Sequence, residues 1–388
     1  MKVVLVNTLA SGGAYVACKR LKQALQRNGV DASLIEIKAK RWNFLWERFC
    51  IWVANHFSRK NLFAVSIANT GTDISKLDVV READIIHLHW INQGGLSLHN
   101  IEQSQALGKP IVWTMHDMWP FTGICHHANE CTQYRTKCLS CPKNANILAR
   151  KIFDKKQSIW QHLTFIGCSK WISSLAEKSR LTGNSQVFSI PNPIDTTLLK
   201  PIAKAQAKQQ LGLDPNVKYI LFGAVNSIAP AKGVEYLLRA DQLLTTKKIQ
   251  YLVLGKNGKS IIEKLTHEGV DFGYISDDSL KNIIYSAADV FVTPSLEENL
   301  PNMIMEAMAC GTPCVGFNIG GIPEMIDHKQ NGYVAQYKDA LDFARGINWV
   351  LSSQEDLGTA ARTKVTNVYA ESVVANQYIQ LYQSLLKK

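Results

Sequence analysis

Residues 289–317 read DVFVTPSLEENLPNMIMEAMACGTPCVGF. The runs DVFVTPS at 289–295 and PCVGF at 313–317 are short, apolar and bounded by turn residues, as strands are. Between them Pro301 cannot sit inside a helix but suits its first turn, so a helix is predicted from about Pro301 and Asn302 to Cys310, with Gly311 as its stop. Strand, helix and strand in that order predict a parallel sheet. Glu306 then lies on the helix. Glu298 lies on the loop ahead of it, where unpaired backbone N–H groups collect and anions bind. Two carboxylates so placed can grip a ligand rich in hydroxyls and phosphate; a surface helix with an acidic exposed face would read the same.

The same alternation extends in both directions. VVLVN at 3–7, a helix around 14–28, DIIHLHW at 84–90, IVWTM at 111–115 and FIGCS at 165–169 form one series, and VFSIPNPID at 187–195 runs into a proline-punctuated bend. A second series follows, with YILFGAV at 219–225, a helix from about 233, YLVLG at 251–255 and the stretch quoted above. Two consecutive α/β units are therefore expected, an N-terminal one over 1–195 and a C-terminal one over 196–370. The segment 371–388 carries Val373, Val374, Tyr378, Leu381, Tyr382 and Leu385 at helical spacing and could pack back on either unit, the N-terminal one being the expectation. Ligands of open α/β sheets sit beyond the carboxyl ends of the strands, so two such units facing one another would make a cleft.

A chain of 388 residues with 46% hydrophobic content can bury a sizeable core in two domains. Its net charge of +11 points to anionic partners: nucleotides, phospholipid headgroups or nucleic acid. The opening MKVVLVNTLASGG is too short an apolar run for a signal peptide, and no run approaches the roughly 18 apolar residues of a spanning helix. An odd count of nine cysteines without an export signal favours reduced thiols and a cytoplasmic location.

Several motif matches fail on context. LGKNGKS at 254–260 lacks the first glycine of a phosphate-binding P-loop, and DFG at 271–273 stands without the catalytic loop of a kinase. SGGA at 11–14 is not GxGxxG, which weighs against a nicotinamide or flavin enzyme. It does open the first helix after the first strand, where Gly12 and Gly13 let the backbone approach a phosphate; a plain turn is the alternative. Lys232, in Ala231-Lys232-Gly233, stands where a cation meets a diphosphate at a helix start, although solvated lysines are common. His116, in TMHDMWPFTG at 114–123, falls just past a strand end, placed to donate to a sugar hydroxyl or move a proton, or else to be a buried structural histidine.

These pieces together resemble a known family. SGGAY, HLHW at 87–90, TMHD at 114–117, CSKW at 168–171, IPNPID at 190–195, AKG at 231–233, and Glu298-x7-Glu306 followed by GTPCV and GGIPEMI resemble the retaining glycosyltransferases of family 4. Within it the chain is most similar to the branch that builds colanic acid, capsule and other exopolysaccharides. The resemblance covers nearly the whole chain and is most specific over 295–326. It implies the GT-B architecture, two Rossmann-like doubly wound parallel-sheet domains facing across a cleft, and transfer of a sugar from a nucleotide-diphosphate donor to a saccharide or lipid-linked acceptor. It further implies His116, Lys232 and Glu298 as catalytic groups. His116 would sit near the reacting carbon, Lys232 on the diphosphate and Glu298 on donor-sugar hydroxyls. Glu306 would hold the ribose, the segment Asn299, Leu300, Pro301 and Asn302 would face sugar and phosphates, and Gly12 and Gly13 would approach the diphosphate. The place of a basic residue carried by many members is Ser227 here, which leaves Lys232 as the main cation. No Asp-x-Asp pair is present, and the resemblance implies metal-independent catalysis with the leaving phosphate helping to take the acceptor proton. A covalent role for Glu298 is the alternative.

Two features lie outside that pattern. Cys125, Cys131, Cys138 and Cys141, spaced C-x5-C-x6-C-x2-C beside His126 and His127, suggest a structural zinc knuckle, with two disulfides or free thiols as alternatives. Residues 38–60, KAKRWNFLWERFCIWVANHFSRK, put Trp42, Trp46, Phe49, Val53 and Phe57 near one face of a helix flanked by basic residues. That pattern fits peripheral contact with the inner face of the cytoplasmic membrane, or a core helix with a solvated rim. Competing functions are a nucleotide-sugar epimerase of the same plan and a basic zinc-containing nucleic-acid-binding protein. The latter is disfavoured because the positive charge is dispersed and no nucleic-acid motif occurs, so nucleic acid is not an expected partner.

Overall fold

The computed structural model describes residues 1–8, 10–143 and 145–387. It divides into two compact units: one of Met1–Pro191 with Val374–Lys388, the other of Asn192–Val373.

The first unit is a six-stranded sheet of β1 (Lys2–Asn7), β2 (Asp31–Glu36), β3 (Ile85–Leu88), β4 (Ile111–Met115), β5 (Leu163–Gly167) and β6 (Gln186–Ser189), in the order β2-β1-β3-β4-β5-β6. All neighbours pair in parallel. Side chains alternate across the sheet as the two-residue strand period requires. Val4 and Val6 of β1 and Ile111, Trp113 and Met115 of β4 enter one core, while Val3, Leu5 and Val112 enter the other. That second core is closed by the helix Glu371–Leu386, whose Val374, Tyr378, Leu381 and Tyr382 lie against those strands.

The second unit holds β7 (Lys218–Asn226), β8 (Ile249–Lys256), β9 (Gly269–Gly273), β10 (Val290–Thr293), β11 (Cys314–Phe317) and β12 (Gly332–Ala335), in the order β12-β11-β10-β7-β8-β9 and again all parallel. Counted within the unit, that is the doubly wound order of dinucleotide-binding folds, with its switch point between β7 and β10. Its central strand β7 is buried without a break from Tyr219 to Ala224, and β10 along its whole length, as strands covered on both faces are.

The aromatic segment differs from its expectation in extent. The helix covers Arg41–Ala54 and not 38–60, and His56 and Phe57 turn the chain with positive φ. The Asn55 amide fixes that turn by donating to the Ser58 and Lys60 carbonyls.

Candidate functional site

The loops leaving β7 and β10 straddle the switch point of the second sheet, and they carry Lys232 and Glu298. After β7 a single 3-10 turn, Pro230–Lys232, precedes the helix Val234–Asp241. Gly233 joins them with φ 62°, and a Cβ there would run into the Pro294 carbonyl oxygen, so only glycine fits. After β10, Leu296 N–H donates to the Ala231 carbonyl at 2.8 Å, tying the two loops together. The Lys232 ammonium and the Glu298 carboxylate form an ion pair, with side chains 30% and 16% exposed. Gly320, with φ 59°, packs against the Glu298 carbonyl where a side chain would collide, and Gly321 N–H donates to the Asn299 carbonyl at 2.7 Å. Part of the expected GGIPEMI segment thus supports the loop that carries Glu298.

The helix Asn302–Ala309 starts after Pro301, and Gly311 follows it with φ 75°. Its carbonyl end is closed by Arg362, whose guanidinium donates to Ala309, Leu199 and Thr196 carbonyls, each at 2.7 Å. Glu306 is buried on this helix and accepts at 2.9 Å from the hydroxyl of Tyr285, itself fully buried on the helix Asp278–Ala287. Thr312, in the turn after the helix, donates to the Tyr285 carbonyl at 2.6 Å, so the turn and the carboxylate are held by one residue. Ser227 is buried with its hydroxyl on the Ala224 carbonyl and adds no positive charge to this edge of the sheet.

In the first unit, Gly12 takes φ 89° ahead of the helix Gly13–Arg27, and a Cβ there would meet nothing within 4 Å. This is an open helix start beyond the β1 end. His116 follows β4 directly. Its Nε2 lies 2.9 Å from Nδ1 of His89, which follows β3, and the two rings stack. His87, one turn of the pleat earlier, lies between the Tyr382 hydroxyl at 2.7 Å and the Thr114 hydroxyl at 2.8 Å. Burial pushes all three imidazoles down, His116 to about 4 and His87 to about 3, so each is neutral near pH 7.

Asp117 accepts from Trp90 Nε1 and the Trp119 N–H, and its Oδ2 lies 2.7 Å from His126 Nδ1. Burial pushes its carboxyl up, but the charge and hydrogen bond of His126 outweigh that and bring it to about 2. Lys156 is buried beneath this turn; its ammonium donates to the Trp119 and Thr122 carbonyls and sits 3.3 Å from the centre of the Trp119 ring. His116 is therefore borne on a rigid turn.

The structure brings Lys232, Glu298 and Asn299 together in the second unit, sets Glu306 on the adjoining helix, and places His116 and the Gly12–Gly13 turn in the first. His89, Asp117 and Tyr285 escaped sequence reasoning. His89 sits in HLHW, and a histidine at a strand end next to the switch point was its available signal; Tyr285 had none, being one apolar-face residue among several.

All four cysteines of the 125–141 cluster are free thiols. Cys125 and Cys141 meet as a hydrogen-bonded pair, which pulls the Cys141 thiol down to about 6 and pushes that of Cys125 up. Cys138 is raised to about 11 by burial. Among the described residues no three His, Cys, Asp or Glu side chains gather as they would around a metal ion.

Residues 203–364, nearly the whole second unit, match the family described as glycosyl transferases group 1. The chain is 31% identical over 191 residues to an uncharacterised glycosyltransferase of Methanocaldococcus jannaschii, a match covering 46% of this chain and 48% of the relative's length. Among solved structures it is similar to sucrose-phosphate synthase from Thermosynechococcus elongatus, with 18% identity, TM-score 0.70, and coverage of 100% and 99% of the two chains. It is also similar to Anabaena HepE in complex with UDP-glucose, with 16% identity, TM-score 0.67, and coverage of 99% and 100%. At those identities the likeness speaks for the fold, the GT-B plan of two Rossmann-like domains in one chain.

Proposed function

We infer, from a second unit that matches the glycosyl transferases group 1 family, that this protein is a glycosyltransferase using a nucleotide-diphosphate sugar, with a UDP-sugar the first donor to try. The observation that carries the reading is the pairing of Lys232 with Glu298 across the switch point of the second sheet, beside the helix that bears Glu306.

A nucleoside diphosphate brings its own negative charge to Lys232 and so competes with Glu298 for it. The freed carboxylate then accepts hydrogen bonds from hydroxyls of the donor sugar, while Glu306, steadied by Tyr285, holds the ribose. Departure of the diphosphate from the anomeric carbon develops charge on phosphate oxygens. An ammonium and oriented backbone amides stabilise it, each preorganised donor contributing on the order of 3 kcal/mol. We propose transfer with retention and without a catalytic metal, the leaving phosphate accepting the acceptor hydroxyl proton on the face where it departs. His116, neutral through burial, would donate to a sugar hydroxyl near the reacting carbon, and the Gly12–Gly13 turn would approach the diphosphate. The acceptor class we propose is a saccharide or lipid-linked oligosaccharide in the assembly of capsule- or colanic-acid-like exopolysaccharide, at the cytoplasmic side.

The test is a panel of nucleotide sugars screened for binding and for slow hydrolysis by the purified protein, alongside Lys232→Ala and Glu306→Ala. Each variant is expected to weaken the preferred donor by at least about tenfold, the loss of one charge-assisted contact. Wild-type affinity in both would refute the assignment of the donor site.

A further inference from the structure

The helix Arg41–Ala54 has two faces of opposite character. Inward, Glu47, Arg48 and Ile51 are buried. Glu47 pairs with Arg48 at 3.0 Å and accepts from the Ile67 and Ala68 N–H groups. Arg48 donates in turn to the Val65 carbonyl. This polar anchor fixes the helix to its unit and sets its rotation. Outward, the same rotation exposes Trp42 (73%), Leu45, Trp46, Phe49 (49%), Val53 and, in the turn beyond, Phe57 (64%). The rings run as a contiguous ladder: Trp46 to Phe49 at 5.7 Å, Phe49 to Trp52 at 6.0 Å, Trp52 to Phe57 at 4.8 Å. Phe63, 63% exposed, stacks on Phe44 beside Arg48. Large apolar side chains in contiguous array on a folded surface mark a contact surface.

The charges around the ladder identify its partner. Between residues 37 and 63 the single carboxylate is Glu47, and it is turned inside. The charged side chains left in solvent, Lys38, Lys40, Arg41, Arg59 and Lys60, are all positive. A second copy meeting this face across a two-fold axis would set those cations against their equivalents. A surface that is negative, apolar a few ångströms below, and tolerant of indole N–H groups at its boundary satisfies both features at once. That is the headgroup region of an anionic bilayer. No helix among the described residues is long and apolar enough to cross a membrane, so the contact is one of lying in the interface.

We propose that the Arg41–Ala54 helix, with its Phe57 turn, docks this protein on anionic phospholipid through the Trp42–Trp46–Phe49–Val53 face, with the flanking lysines and arginines on the headgroups. The proposal stands on the first unit alone and does not depend on the donor site. The test is co-sedimentation of the full chain with vesicles of mixed phosphatidylglycerol and phosphatidylcholine, against pure phosphatidylcholine. Binding is expected to the mixed vesicles, to fall with added salt, and to drop at least about tenfold in Trp42→Ser/Phe49→Ser and in Lys40→Glu/Arg41→Glu. These side chains are exposed, so both variants should keep the wild-type circular dichroism and melting curve, which serves as the folding control. Equal partition onto both vesicle types, unchanged binding by folded variants, or a dimer in solution that Trp42→Ser/Phe49→Ser dissolves would overturn the proposal.

Discussion

Tyr285→Phe removes one oxygen from a fully buried side chain and leaves the ring, its packing on Phe291 and its backbone bond from Thr312 in place. What it deletes is the 2.9 Å hydrogen bond to Glu306 Oε2. A hydrogen bond to a charged acceptor contributes about 1.5–3 kcal/mol net, so the loss should fall in that range. For a unit of this size that corresponds to roughly 3–12 °C in its calorimetric transition. The functional effect is separable from the structural one. If Glu306 grips the ribose, a carboxylate released from Tyr285 should weaken a nucleoside diphosphate about tenfold by isothermal titration, roughly 1.4 kcal/mol. It should leave affinity for inorganic pyrophosphate, which lacks the ribose, unchanged. A variant with wild-type stability would refute the energetic reasoning, and one that loses both ligands equally would refute the assignment of Glu306 to the ribose.

Two further outcomes follow from the geometry. Gly233→Ala forces a β-carbon into a left-handed residue and against the Pro294 carbonyl, and should cost at least about 2 kcal/mol while displacing Lys232; urea titration together with donor affinity reads both. Buried His87 has its pKa lowered to about 3 in the folded chain against roughly 6.5 unfolded, so the unfolded chain takes up the proton first. Its contribution to stability is complete above about pH 6.5 and is lost as pH falls toward 3, about 2 kcal/mol at pH 5. His87→Gln should flatten that part of the stability–pH curve, and an unchanged slope would show that this imidazole is not excluded from protonation.

What the sequence disclosed follows the strength of local signals. The central strands were legible because burial on both faces makes them short, uninterrupted apolar runs, such as IVWTM, which is β4 residue for residue. The flanking strands β2, β9 and β12 were not. An edge strand needs fewer apolar residues, and β9 (GVDFG) is mostly glycine and polar, so it was met only as a failed kinase motif. The helix Asn302–Ala309 was legible from Pro301 and Gly311, whose backbone constraints act locally. Tyr285 was not, because its relation to Glu306 is made by tertiary packing across 21 residues of sequence and has no periodic trace. The aromatic helix was read too long because its pattern continues through Phe57, whereas the chain bends at His56 with Asn55 holding the turn.

On the proposed donor site, the pairing of Lys232 with Glu298 would let a single lysine serve beside Ser227, which supplies no charge. An unpaired ammonium at a partly buried position costs desolvation with nothing in return, and an unpaired carboxylate beside it costs as much. Together they satisfy each other and hold each other in place. A diphosphate displaces the carboxylate from the lysine only if it brings more charge than the single one it replaces. A neutral sugar brings no charge to the lysine, so on the proposed reading the pair would favour a donor whose phosphate and hydroxyls arrive together: the first would take the lysine, the second would engage the glutamate that the first has released.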